Sequence, residues 1–174
     1  MSIKFKKQVV YAGLMSRIIS TMLDLCVLAA LLSYPMKYIS QFILIHYFQD
    51  HIILHAISLD DRDAIATLFT STEFLNNLPV MAFLKSYSII TLVQISFASI
   101  YFVFCWYKFG ATPGKFLLGH KVVKANNFEK LSVGEAIYRM LGSLTFFIGL
   151  LFVPMTSKKQ ALHDKIAGSV VVKR

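Results

Sequence analysis

Arg17 and Asp24 sit in a stretch that is otherwise almost wholly apolar, Leu14 to Tyr34 (LMSRIISTMLDLCVLAALLSY). A charge in such a segment is costly in hydrocarbon, so it faces a protein interior or a wet cavity and looks for a partner. The two residues are seven apart, or two helical turns. That puts both on one helix face, about 10 Å apart along the axis. They cannot pair directly, so each needs a partner on another segment. The functional chemistry open to Asp24 is binding a proton or a cation along a pathway. The plainer alternatives are a charge network between segments, or a protonated acid bonded to a hydroxyl such as Ser96 or Ser99.

Other candidate residues carry weaker signals. Gly110-Ala-Thr-Pro-Gly-Lys115 has the look of a phosphate loop but the wrong spacing, and Phe116 stands where Ser or Thr belongs. Its Gly and Pro are expected to shape the exit from a span, with Lys115 touching lipid phosphate. His46 and Asp50, and His51 and His55, are each four apart, as two metal ligands on a helix could be, but no third ligand follows at a fitting spacing. Cys26 and Cys105 lie in apolar stretches and read as small hydrophobes, not as a disulfide or a metal pair. No Ser/His/Asp or Cys/His arrangement suggests an enzyme. No aromatic–basic platform suggests nucleic-acid binding. No cofactor is implied.

The elements that must position these residues follow from composition. The 174-residue chain is 56% hydrophobic with a mean hydropathy of +0.62, which is too apolar for an ordinary soluble domain. Its length suits one domain. Its net charge of +9 is uneven and is read through membrane topology. Lys4, Lys6 and Lys7 precede a first span at about 14–34 and favour a cytoplasmic N-terminus. The segment reads as retained, not as a cleaved signal, because it is too long and Asp24 interrupts it.

Pro35 is expected to break the first helix. Residues 36–59 then read as an amphipathic helix at the outer interface, although a second span there is an open alternative. Residues 35–85 hold Asp50, Asp60, Asp61, Asp63 and Glu73 against Lys37, Arg62 and Lys85, as an exported loop should. Residues 86–107 carry no charge and form the clearest span, with Tyr101, Trp106 and Tyr107 as an aromatic anchor.

Residues 108–135 carry five lysines and read as cytoplasmic, with a strand at 117–124 and a turn at Asn126-Asn127. The last apolar stretch, 136–155, poses a conflict. Three full spans from a cytoplasmic N-terminus would export the basic tail, against the positive-inside tendency. A broken or re-entrant hairpin, bent at Gly142, Gly149 or Pro154, would return it. The strand-like residues 168–173 could then pair with 117–124, which requires both on one side. The fold class expected is therefore an all-α membrane protein with two firm transmembrane helices, a third apolar hairpin or span, and a small cytoplasmic β-pairing.

Three blocks then resemble the RDD family of small membrane proteins, named for one arginine and two aspartates. The first is Tyr11-Ala-Gly followed by Arg17 and Asp24. The second is GATPGK, then Leu118-Gly119 and Lys121-Val-Val. The third is Arg139, then Gln160-Ala-Leu-His-Asp164 and Ala167-Gly-Ser-Val-Val. Their order covers nearly the whole chain. Ser169 stands at a threonine-like position and keeps the hydroxyl, while residues 36–80 match no motif of the family.

The resemblance maps the family letters onto Arg17, Asp24 and Asp164, and it implies transport without a settled substrate, with cation/proton antiport among its members. With a cytoplasmic tail, Arg17 and Asp164 can form a bidentate pair. Arg139 can pair with Asp24 or snorkel to the interface, the latter being preferred. His163 either helps place Asp164 or titrates at the surface. The expectation is a transporter component or cation/proton exchanger in the cell's inner membrane, working with lipid, a proton or a monovalent cation. It would be a homo-oligomer, because so few spans give a pathway few walls. The alternative is a non-transporting membrane scaffold.

Overall fold

A computed structural model of the chain describes residues 9–55 and 57–173, so Lys4, Lys6 and Lys7 lie outside the described residues. The chain divides into two compact units, Leu31–Phe97 and Met1–Ala30 with Ala98–Arg174.

Among the described residues, two helices are long and apolar enough to cross a membrane. They are α1 (Leu14–Leu54) and, after α2 (Arg62–Thr70) and α3 (Thr72–Asn76), α4 (Val80–Lys108). Pro35 does not end α1, and the separate interfacial helix expected at 36–59 is the C-terminal part of the same helix. Proline removes one N–H donor and crowds the carbonyl four residues back. In apolar surroundings, however, the neighbouring backbone groups have no water to turn to, so their bonds stay within the helix.

In the unit of residues 31–97, the acidic stretch expected to be a loop folds into α2 and α3. Asp61 Oδ1 caps α2 by accepting from Ala64 N at 3.0 Å, and Ser71 Oγ caps α3 by accepting from Phe74 N at 3.2 Å. Phe48 and Ile52 of α1 pack there with Ile65, Leu68 and Phe74.

The other unit carries the site. After α4 come α5 (Pro113–Leu117), β1 (His120–Lys124), α6 (Val133–Ser143), α7 (Phe146–Leu151), α8 (Leu162–Ile166) and β2 (Ser169–Lys173). The apolar stretch 136–155 is not one helix. It breaks at Leu144-Thr145, where Thr145 Oγ1 donates to Gly142 O at 2.7 Å, and neither α6 nor α7 is long enough to span.

β1 and β2 pair antiparallel with Lys121 opposite Val172 and Lys124 opposite Ser169, so the expected loop–tail pairing is present. The strands start later than expected, after Gly119 (φ 66°) and Gly168 (φ 56°), whose left-handed backbone turns the chain into each strand. The sheet has an unforeseen neighbour. Ala12 N donates to Val171 O, and Lys173 N donates to Val10 O, both at 2.9 Å. Residues 10–12, the loop after α4 and the tail therefore share one side. Beneath the sheet, Ala12, Val122 and Val171 pack with Trp106, Leu131 and Ala136.

Candidate functional site

Two buried carboxylates organise this unit, and each draws partners from distant segments. Asp164 lies on α8, where its Oδ2 accepts the N–H of Ala161 at 3.0 Å and caps the short helix. Arg17 Nη1 donates to the same oxygen at 2.5 Å, and Arg139 Nη1 forms an ion pair with Oδ1. Arg17 is held in place by Nε donating to Ala12 O (3.1 Å) and Nη2 donating to Lys159 O (2.6 Å). Arg139 Nη1 also donates to Ser169 Oγ at 2.5 Å, and its guanidinium lies over the Trp106 ring, 4.9 Å from the centroid.

Burial works to raise the Asp164 pKa, but Arg139 and Arg17 outweigh it, and the carboxyl is held well below the usual carboxylate range. His163 Nε2 lies 3.5 Å from Asp164 Oδ1. Its burial, with the two guanidiniums nearby, pushes its pKa down to about 3, so the imidazole beside the carboxylate is neutral.

Asp24, on α1, is wholly buried and bound by the GATPGK turn. Thr112 Oγ1 donates to Oδ2 at 2.5 Å, Gly114 N to Oδ1 at 2.7 Å, and Lys115 Nζ to Oδ2 at 3.3 Å. Glycine at 114 is what lets the turn come this close. A Cβ there would collide with the carbonyl oxygen of Ser20 and lie 2.9 Å from Asp24 N. Burial pushes the Lys115 ammonium pKa down, and Asp24 opposes that shift.

Several expectations are corrected. Lys115 does not reach lipid phosphate, because it is buried against Asp24. Arg139 neither snorkels nor pairs with Asp24. It is 1% exposed and pairs with Asp164, since α6 crosses α8 at Gly142, where a Cβ would stand 2.9 Å from His163 Cα. The hydroxyl bound to Asp24 is that of Thr112, while Ser96 Oγ donates to Leu92 O. His163 is largely buried and does not titrate at the surface. Arg17 and Asp164 do meet, but through Nη1 alone and not as the bidentate pair expected, because Nη2 donates to Lys159 O.

Sequence reasoning missed Thr112, Gly114 and His120, although the GATPGK block was a signal for the first two. His120 is 1% exposed, and its Nε2 is 2.7 Å from Ser16 Oγ on α1. Cys26 and Cys105 are free thiols. Among the described residues, no three His, Cys, Asp or Glu side chains come together as a metal site, and the side chain of His51 lies outside that description.

The arrangement is a nearly closed lattice of charge in which three cations, Arg17, Lys115 and Arg139, meet two carboxylates. Its members come from α1, α5, α6 and α8. The family model described as "RDD family" matches residues 11–168. An uncharacterized protein of Rickettsia prowazekii (strain Madrid E) is 35% identical over 172 residues, covering 97% of this chain and 99% of that one. No solved structure matches the chain.

Proposed function

The chain belongs to the RDD family, and on that footing we propose that it is an integral protein of the cell's inner membrane that exchanges a monovalent cation for a proton, with both termini cytoplasmic. The observation that carries this reading is the buried Asp24–Lys115 pair at the foot of an apolar helix. Burial makes the Lys115 ammonium a readier proton donor than a free lysine. When Lys115 gives up its proton, Asp24 keeps the Thr112 hydroxyl and the Gly114 N–H but loses its counter-ion. One monovalent cation restores the balance, and a returning proton on Lys115 displaces it. Two spanning helices enclose no path alone, so the exchanging unit is an oligomer of the chain. The basic loop 108–135 and the basic tail support a cytoplasmic position for that side.

Arginine cannot lose its proton in a protein, which makes Lys115→Arg the discriminating variant. The assay is proteoliposomes with an internal pH dye and an imposed sodium or potassium gradient. The wild type should move protons against the gradient, while Asp24→Asn and Lys115→Arg should be silent yet remain folded by circular dichroism. Exchange at the wild-type rate in Lys115→Arg would sink the reading.

One observation favours a second reading, a membrane scaffold that transports nothing. Both Asp24 oxygens already carry donors, as a purely structural tie requires. In that case the wild type itself gives no dye response in either gradient, and Asp24→Asn alters only stability.

A further inference from the structure

An open groove of about 490 Å³ runs between α4 and α6. Ile100, Phe104 and Tyr107 line it from α4, and Val133, Ile137 and Leu141 from α6, each set at helical spacing. At ~30 Å³ for each water-sized group, the groove has room for on the order of sixteen such groups in a row or cluster. The C-terminus of α4 and the segment leading into α6 come together, because Lys130 Nζ donates to Lys108 O at 3.3 Å. The end marked by Tyr107 and Val133 therefore lies beside two exposed lysines, one next to Tyr107 and one three residues before Val133. The nearby acids are engaged: Glu129 accepts from Asn127 at 2.6 Å, and Glu135 takes Ser132 N at 2.7 Å and Lys124 at 3.0 Å.

We propose that this groove holds an acyl chain of an anionic phospholipid, with the headgroup phosphate seated between Lys108 and Lys130. An apolar trough with two exposed lysines beside one end matches a molecule with an apolar tail and a phosphate at one end. It does so at the end of α4 where Tyr107 suits a membrane–water interface. The inference rests on α4 crossing the membrane. It needs nothing from the exchange chemistry at Asp24.

The chain supplies its own probe. Trp106 is the sole tryptophan, and it belongs to the buried cluster against which Val103 and Met140, which also line the groove, are packed. The experiment follows quenching of its fluorescence in the full-length protein by phospholipids with brominated acyl chains, phosphatidylglycerol against phosphatidylcholine. A lysine near the surface is worth roughly fivefold in binding an anionic lipid. Phosphatidylglycerol should therefore reach half-maximal quenching at a mole fraction at least fivefold lower. Lys108→Gln with Lys130→Gln should bring the two lipids within about twofold. High salt should do the same to the wild type, which keeps the test decisive if the variant folds poorly. Equal quenching by both lipids overturns the proposal, as does a preference that survives both lysine replacement and salt. Loss of all quenching on self-association also overturns it, and would assign the groove to a second copy of the chain.

Discussion

Arg17 and Asp164 lie 147 residues apart in the chain and meet at 2.5 Å, joining the first turn of the first membrane helix to the short helix before the final strand. Arg139 approaches the other oxygen of the same carboxylate, so one aspartate bridges two guanidiniums from two helices. The lattice is cooperative by construction: remove the carboxylate, and two buried cations lose their counter-ion together.

Asp164→Asn should therefore be among the most damaging single substitutions in the chain. Breaking a buried ion pair by removing one partner costs about 3–5 kcal/mol, because the remaining charge stays buried without compensation. The half-exposed Lys124–Glu135 pair at 3.0 Å is the internal control. Lys124→Gln should cost no more than about 1 kcal/mol. Thermal unfolding of the two variants in one detergent compares them directly, and similar midpoints would contradict the lattice.

Gly114→Ala tests the second carboxylate without touching a charge. The new methyl would press on the backbone of α1 at Ser20 and Asp24, which cannot yield as a flexible side chain can. Overpacking of this kind costs about 1–3 kcal/mol, and here it also lifts the Thr112–Gly114 donors away from Asp24. Gly13→Ala meets nothing within 4 Å and should stay within about 0.5 kcal/mol of wild type. The measurement is again the unfolding midpoint, read alongside proton flux for Gly114→Ala.

The neutral His163 gives stability a pH dependence of known sign. Its pKa is about 3 in the folded protein against 6.5 for a free imidazole. Between those values the unfolded chain takes up a proton that the folded chain refuses, so stability falls as pH drops from 6.5 towards 3. Asp164 adds to the loss at the acid end. Its depressed pKa gives stability that is present above the unfolded carboxylate value and lost as pH falls through the folded one. His163→Gln cannot titrate and should flatten the curve between 6.5 and about 4, leaving the steeper acid limb. An unchanged slope across that window would mean that His163 is protonated in the folded protein.

The same residues show what could be read from the chain and what could not. Arg17 and Asp24 stood out because charge in an apolar helix needs a partner, and the basic tail pointed to a strand pairing on the loop's side. Both inferences rest on solvation, which leaves a mark in composition. Partner choice leaves no such mark. Lys115 read as a surface lysine because its neighbours in sequence are a turn, yet the turn folds against Asp24, and only the close approach allowed by Gly114 reveals it. Arg139 read as interfacial for the same reason, until α6 crosses α8 at Gly142. Pro35 misled in the opposite direction. Its local preference is to end a helix, and an apolar setting overrides that preference.

The pairing of the N-terminal segment with the last strand yields a topological prediction. Val10 O accepts from Lys173 N, and Ala12 N donates to Val171 O, so the entry to α1 and the end of β2 lie on one side of any membrane the helices cross. Cysteines placed singly at Val9 and at Lys173, both exposed, in a chain with Cys26 and Cys105 replaced, should label from the same face. With the positive-inside tendency that face should be the cytoplasmic one. Opposite labelling of the two positions would break the Val10–Lys173 contact and with it the route by which Asp164 reaches Arg17. Arg17 and Arg139 would then need a partner other than Asp164. Labelling of both from outside would leave the charge lattice intact and would instead reverse the direction of the proposed exchange.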